Sequence, residues 1–355
     1  MKITRSSKYS LKFQTEYKRT LIESIFDEYT DCVNFYVSYF WIHPKLNKSD
    51  IKKEVLDMYD GWFSQRIKQC ASRQALAIVQ SARSRRKKKP FFKGNTMALS
   101  SNCVKWEDSK DSTFDSWIHI SSVGNKLNFR LPIRSHKHAN QFNDWKRSST
   151  FTFHRSGLVS VSYETETGEK KPDGLNIGVD LGLNKLFACS DNTFKADKSL
   201  ELVKKVSRKK KNSKAHHRAK EELKSYINHS IKTEFDWKST RLVVVEKIKD
   251  LKRNMKVKGR LTKTIRSVIS NLPTGYIIDR IQSECERNRV SFRSVPAYYT
   301  SITCRKCGHR DKMNRSSQEQ FCCSECGHSE HADIHASKNI LERFILGPYG
   351  AEFKH

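Results

Sequence analysis

The sequence is short of apolar residues and short of acids. Only 36% of its 355 residues are hydrophobic, and no apolar run approaches the roughly 18–20 residues that span a bilayer. Residues Met1 to Ser10 hold no apolar core of the kind a secretory signal needs. An integral membrane protein and a secreted, disulfide-stapled scaffold are therefore poor readings, and a cytoplasmic location is expected. Acidic residues number 38 against 68 Lys and Arg, a formal net charge of +30. A surplus of that size repels itself unless a polyanion neutralises it, which points to nucleic acid. An anionic membrane surface would ask instead for a basic amphipathic helix backed by Trp or Leu. No stretch fits that pattern convincingly, so no membrane partner is expected.

What is present falls into three styles. The stretch Lys2 to Phe13 alternates as one strand. From Thr15 to Trp41, Ile22, Ile25, Phe26, Tyr29, Cys32, Val33, Tyr36 and Phe40 recur at helical steps. Further helices are predicted over Asn47–Gln65, with Ile51, Val55, Tyr59, Trp62 and Phe63 inward, and over Ala71–Ser84, which runs into a basic stretch ending at Pro90. After Pro90 the period becomes two. Ile118 and Ile120, a Gly124-Asn125 turn, and Leu127, Phe129 and Leu131 suggest one hairpin, and Phe151 to Val161 around Ser156-Gly157 a second. Residues 91–170 read as a β-barrel or sandwich that the first strand could join, making the helices an insertion. The polar stretch Thr165 to Asp173 reads as a linker.

From Leu175 the pattern is α/β. Leu175 to Leu181 and Lys185 to Ser190 read as strands, followed by a basic segment from Lys204 to Lys214 and a helix over about Ala215–Phe235. Leu242 to Val245 is apolar throughout, as a buried parallel strand requires. A helix marked by Ile277, Ile281 and Cys285, a strand over Val290–Val295 and a final helix over about Asp333–Phe344 complete the chain. Asp333, Ala336, Ile340 and Phe344 share one face of that last helix.

Five of the ten cysteines lie between Cys304 and Cys326. Cys304-x-x-Cys307 and Cys323-x-x-Cys326 are fifteen residues apart, the pattern of two knuckles closing a tetrahedron of thiolates around Zn²⁺. Cys322 could stand in for Cys323. The repeat of Cys-x-x-Cys-Gly-His in both knuckles favours Cys323. Four sulfur ligands leave no open position, so the zinc would be structural.

Three acids follow apolar strands or open a helix. Asp180 interrupts the strand Ile177 to Leu181, Glu246 is the first charge after Leu242–Val245, and Asp333 opens the last helix. A buried carboxylate is costly unless a cation meets it. Three on neighbouring core elements can hold two Mg²⁺ ions through oxygen ligands, a pair suited to phosphodiester hydrolysis.

Taken in order, Gly178-Val179-Asp180-Leu181-Gly182, Val243 to Glu246, Thr300-Ser301-x-x-Cys304-x-x-Cys307-Gly308, Cys323-x-x-Cys326-Gly327 and Asp333-x-x-Ala336-x-x-Asn339-Ile340 resemble TnpB. This is the transposon-associated family of RNA-guided nucleases related to compact type V CRISPR effectors. The resemblance covers about residues 175–342 by motif and the N-terminal half by architecture alone. It implies an α+β multi-domain chain. A wedge-like β-barrel would occupy 1–10 and 91–170, with a helical recognition insert over 11–90. An RNase H-like (RuvC) domain would span 171–303 and 327–345, with a zinc ribbon inserted at 304–326 and a tail over 346–355. It also implies Asp180, Glu246 and Asp333 as catalytic Mg²⁺ ligands, a guide RNA and a double-stranded DNA target, a monomer with RNA, and a prokaryotic or phage setting. The cut would leave 5′-phosphate and 3′-hydroxyl ends. Two departures stand out: the family usually has Asn where His335 stands and often Arg where Ala332 stands.

Arg83, Arg85, Arg86, Lys87, Lys88 and Lys89, and Lys204, Lys205, Arg208, Lys209, Lys210 and Lys211, are the candidate phosphate-tracking segments. In RNA-guided recognition base pairing reads the sequence, and the protein reads backbone shape and a short flanking motif. Three other readings compete with a TnpB-type nuclease: a compact type V CRISPR effector, a guide-dependent DNA-binding protein without cleavage, and a zinc-ribbon nucleic-acid-binding factor without a guide.

Overall fold

The computed structural model describes residues 2–109, 113–122, 127–183, 185–247, 262–317 and 319–347. The chain divides into two compact units, Met1–Glu166 and Thr167–His355, the division falling in the polar stretch after the last N-terminal strand.

In the first unit, strand β1 (Lys2–Ser10) is followed by helix α1 (Glu16–Ile42). The Thr15 side chain caps α1 by accepting from the Lys18 amide. The helix buries Ile22, Ile25, Phe26, Tyr29, Cys32, Val33, Tyr36 and Phe40, the face its sequence period marks out. The helix predicted over Asn47–Gln65 is broken into pieces. A 3₁₀ turn, Lys48–Asp50, precedes a single-turn helix, α2 (Lys53–Asp57). Asn47 and Asp50 cap each other across the tight turn, which ends the run after three residues. Trp62, expected inward, is 41% exposed. Helix α3 (Gln65–Ser84) then packs along α1.

Strands β2 (Thr96–Ser100), β3 (Val104–Asp108), β4 (Ser116–Ser122) and β5 (Leu127–Ile133), the short helix α4 (Lys137–Asn140), β6 (Lys146–His154) and β7 (Leu158–Glu166) complete the unit. They form two antiparallel sheets, β1-β7-β6-β2 and β3-β4-β5. The first strand does join the later ones: Lys2 pairs opposite Glu166 and Ser10 opposite Leu158. Both sheets and the two long helices share one apolar core. The predicted Gly124-Asn125 turn lies outside the described residues.

The second unit is built on β8 (Leu175–Leu181), β9 (Phe187–Cys189), β10 (Phe194–Lys195), α5 (Ser199–Ser207), α6 (Lys214–Thr233), β11 (Thr240–Lys247), α7 (Lys263–Asn271), α8 (Thr274–Arg287) and β12 (Ser291–Pro296). A hairpin, β13 (Gln320–Cys322) and β14 (Ser329–His331), leads into α9 (Ala332–Ile345). The five-stranded sheet runs β10-β9-β8-β11-β12, with β8, β11 and β12 parallel and β9 antiparallel to β8. It is covered on both faces. Val243 and Val245 face a core that contains Val203, Leu223, Ile227, Ile277 and Ile281 of the helices, while Leu242 and Val244 meet Ile340 of α9. That double burial is why β11 carries no alternation.

Helix α9 lies against β8, and Gly178 makes the approach possible. A Cβ there would sit 2.1 Å from the Ser337 carbonyl oxygen and 2.9 Å from Leu341 Cβ. The first neighbour is backbone and cannot swing away. Gly178→Ala is therefore expected to lower stability by about 3 kcal/mol or more, read as a shift of the denaturation midpoint. An unshifted midpoint would mean that α9 does not pack as described.

Candidate active site and metal centre

Asp180 and Glu246 reach the same sheet edge by register. Strands β8 and β11 are parallel neighbours with Val179 opposite Val245, so the acids stand side by side one step further on. Asp333 enters in the first turn of α9, where the positive helix end favours a carboxylate. The close seat of α9 on β8 brings it in: a Cβ on Gly182 would be 3.7 Å from Asp333 Oδ2. All three acids line one cavity of about 390 Å³, together with Thr300, Ser301 and Arg315.

The acids are held in different ways. The Thr300 hydroxyl donates to Glu246 Oε1 (2.7 Å). Thr300 is fixed in turn by Asn339 of α9, whose Nδ2 donates to the Thr300 and Thr303 carbonyls (2.8 Å each). The preceding residue, Tyr299, has a φ of 62°, a left-handed conformation unusual for an aromatic residue. Its carbonyl accepts from the Ile302 and Thr303 amides and the Thr303 hydroxyl, which holds the turn closed. Arg315, from the segment between the two knuckles, pairs with Asp333 (Nη2 to Oδ1, 2.7 Å).

Asp180 is the strained member. Burial, and then the neighbouring Glu246 and Asp333 carboxylates, push its carboxyl up to about 7, against the pull of Arg315. Three carboxylates against Arg315, with Arg343 near Glu246, leave an excess of negative charge. An all-oxygen donor set with that excess fits Mg²⁺, which prefers hard oxygen ligands. In metal-free protein the raised group binds more protons folded than unfolded. Its contribution therefore lowers stability as pH rises from about 4 through about 7. Asp180→Asn removes that titration. Without divalent ions, the variant should be more stable than the parent at pH 8 by on the order of 1–3 kcal/mol, with the difference vanishing toward pH 4. Equal midpoints at pH 8 would contradict the charge balance described.

The cysteine cluster is assembled. The sulfurs of Cys304, Cys307, Cys323 and Cys326 lie within 4.8 Å of one another. Cys304 is 3.6 Å from Cys326, and Cys307 is 3.5 Å from Cys323. The knuckles are copies. The Cys304 amide donates to the His309 carbonyl and the Cys323 amide to that of His328, both at 2.8 Å. Gly308 and Gly327 have φ of 76° and 67°, which only glycine adopts without strain. The geometry and soft donors fit Zn²⁺. Cys322 ends strand β13 with an exposed side chain and lies outside the cluster. The other five cysteines are buried.

The basic candidates divide. Arg83 donates to the Phe40, Trp41 and Pro44 carbonyls, closing the end of α1. Arg85 to Lys89 are exposed beyond α3. Lys204 and Lys205 lie on the last turn of α5 rather than in a loop, and Lys205 pairs with Glu222 (2.7 Å). Arg208 to Lys211 are exposed in the connection to α6. Phe344, expected inward on α9, is 37% exposed. Three site residues had no role assigned from sequence. Thr300 and Asn339 stood in the motifs without a stated function, and Arg315 carried no signal beyond the requirement that some cation meet the buried acids.

A family profile described as "Cas12f1-like, TNB domain" matches residues 275–340, from α8 through the cysteine cluster into α9. Over 63 residues, 18% of the chain and 11% of the relative, it is 41% identical to the "CRISPR-associated DNA-binding protein Cas12m" of Thermanaerosceptrum fracticalcis. It is 28% identical over 214 residues to the "Putative RNA-guided DNA endonuclease InsQ" of Escherichia coli (strain K12), covering 52% of each protein. The chain resembles the TnpB-like compact type V proteins. It spans about half or less of the length of these curated relatives. Among solved structures, that of a Cas12f1–sgRNA–target DNA complex aligns with a TM-score of 0.58 at 14% identity, over 92% of this chain and 82% of that one. The mini-RNA-guided endonuclease CRISPR-Cas_phi3 aligns with a TM-score of 0.52 at 11% identity, over 96% and 92%. At such identities the likeness is one of fold. No described helix is long and apolar enough to cross a membrane.

Proposed function

We propose that the chain is an RNA-guided DNA endonuclease. The observation that carries this is the convergence of Asp180, Glu246 and Asp333 with Arg315 on one cavity. The sheet, with an antiparallel strand joined to three parallel ones, supports an RNase H-like (RuvC) assignment for the second unit. The two antiparallel sheets of the first suit a wedge-like barrel carrying α1 to α3 as a recognition insert. Asp180, Glu246 and Asp333 would hold Mg²⁺, which when bound supplies water activation and stabilisation of the leaving 3′ oxygen. The protein's own groups do the rest. Thr300 and Asn339 fix the Glu246 carboxylate, and Arg315, paired with Asp333 beside the cavity, would meet a scissile phosphate there. Cys304, Cys307, Cys323 and Cys326 would hold the zinc that braces the segment carrying Arg315. Exposed Arg85 to Lys89 and Arg208 to Lys211 would track the backbones of the guide RNA and the target DNA.

The test is to purify the protein with RNA expressed from its own locus, sequence that RNA, and challenge the complex with a plasmid bearing a matching target. One defined RNA species and Mg²⁺-dependent cutting at the match are expected. Heterogeneous RNA fragments would favour a guide-free zinc-ribbon factor. Guided binding without a cut would favour the second reading, a guide-dependent DNA-binding protein. The similarity over 63 residues to a relative named for DNA binding motivates that reading.

A further inference from the structure

Beside the four cysteines lies a second group of ligand atoms that the catalytic reading does not use. His328 follows the second knuckle, Glu330 is on β14, and His335 is in α9; their nitrogen and carboxylate atoms lie within 4.8 Å of one another. His335 is fully buried and its ring stacks on Phe321 at 3.6 Å, which fixes the ring plane. His335 Nε2 is 2.8 Å from the Thr303 carbonyl. A carbonyl can only accept, so Nε2 carries the hydrogen, and in the neutral ring Nδ1 presents a lone pair. That lone pair faces Glu330 Oε2 at 3.3 Å, a second acceptor. On the other side, His328 Nε2 is buried without a hydrogen-bond partner and lies 3.8 Å from the same Oε2. Lys338 engages the other Glu330 oxygen, Oε1, and leaves Oε2 to the two rings.

Two imidazole nitrogens and a carboxylate oxygen within 4.8 Å of one another, one of the nitrogens unpartnered, suit a cation. We propose that His328 Nε2, Glu330 Oε2 and His335 Nδ1 form a second zinc site, separate from the four-cysteine centre. The chemistry selects the ion. Two imidazoles and one carboxylate suit Zn²⁺ and its neighbours Co²⁺ and Ni²⁺ rather than Mg²⁺. Zinc bonds of about 2.0–2.2 Å place tetrahedral ligands roughly 3.3 Å apart. The His335–Glu330 spacing already matches that value, the His328–Glu330 spacing of 3.8 Å needs a small closure, and the two histidine nitrogens lie within 4.8 Å of each other. The donation from His335 Nε2 to a backbone carbonyl is the outer contact that commonly orients a metal-bound histidine. The site would tie the second knuckle to α9 next to Asp333, independently of whether the acids cut nucleic acid.

Zinc content per chain decides this. The full-length protein, saturated with Zn²⁺ and freed of excess ion, is expected to hold two equivalents by elemental analysis. His328→Ala and Glu330→Gln should each hold one. The Cys323 amide bonds the backbone of residue 328 rather than its side chain, so His328→Ala leaves that knuckle contact in place. With Co²⁺ substituted for zinc, thiolate charge-transfer absorption should be the same in parent and variants, showing that the loss is not from the cysteines. One equivalent in the parent with the thiolate band saturated would overturn the proposal, as would two equivalents retained in both variants.

Discussion

Asp180→Ala should abolish Mg²⁺-dependent cleavage, with a loss of about 10³-fold or more, while guided DNA binding stays within a few-fold of the parent. The magnitude follows from what the carboxylate does. It stands beside Glu246 at the sheet edge and lines the cavity with Asp333. On the proposed function, removing it would take away one of three ligands for ions that supply several kcal/mol of charge stabilisation in the transition state, and each 1.4 kcal/mol is a factor of ten in rate. On that reading, binding would draw on a different resource, the exposed Lys and Arg of a chain with a net charge of +30. The Ala variant also relieves repulsion, because Glu246 and Asp333 raise the Asp180 pKa in the parent. A variant at least as stable as its parent, and inactive, would separate a lost ligand from a lost fold. Cleavage that survives in Asp180→Ala would remove the three acids as the site.

The parts of this picture that the sequence made legible are those with a local signature. Period, capping and apolar runs located α1, β11 and α9 to within a few residues, since each is defined by which side chains its own length buries. The acids were legible because a charge at the end of an apolar strand is conspicuous, and the four clustered cysteines because their spacing is itself the geometry. What stayed hidden depends on contacts between distant segments. Arg315 is one of 68 cations, and only the folded knuckle segment lays it on Asp333, eighteen residues along the chain. Arg83 looked like part of a basic run, yet its guanidinium caps carbonyls more than forty residues earlier, at Phe40 and Trp41. The segment Asn47–Gln65 has helical spacing of apolar residues, but the mutual cap of Asn47 and Asp50 favours a tight turn that periodicity does not register. His335 read as a departure beside the last acid. In the fold its partners are the Thr303 carbonyl and Glu330, so its surroundings are set by the ribbon rather than by the cavity.

The adjacent cysteines provide the sharpest contrast between spacing and fold. Cys322 and Cys323 are neighbours in sequence, and either could pair with Cys326, across three intervening residues or two. The end of the strand separates them, because Cys322 is the last residue of β13 and Cys323 the first beyond it. Cys322 pairs across the hairpin with Ser329 and points to solvent, while Cys323 turns inward to within 3.5 Å of Cys307. Cys323→Ser should therefore lose the tetrathiolate zinc, with the free energy that metal binding contributes to folding, roughly 10–16 kcal/mol in small zinc modules. Cys322→Ser should retain it. The measurements are thiolate charge-transfer absorption after cobalt substitution and protease resistance of the segment around 304–331. In the Cys323 variant both should collapse. The loss should reach the acid cavity too, because Arg315 lies between the knuckles and its hold on Asp333 depends on that segment being folded. Equal zinc loss in both variants would show that the ligand register is shared between the two cysteines, and the inward turn of Cys323 would then not be what selects the ligand.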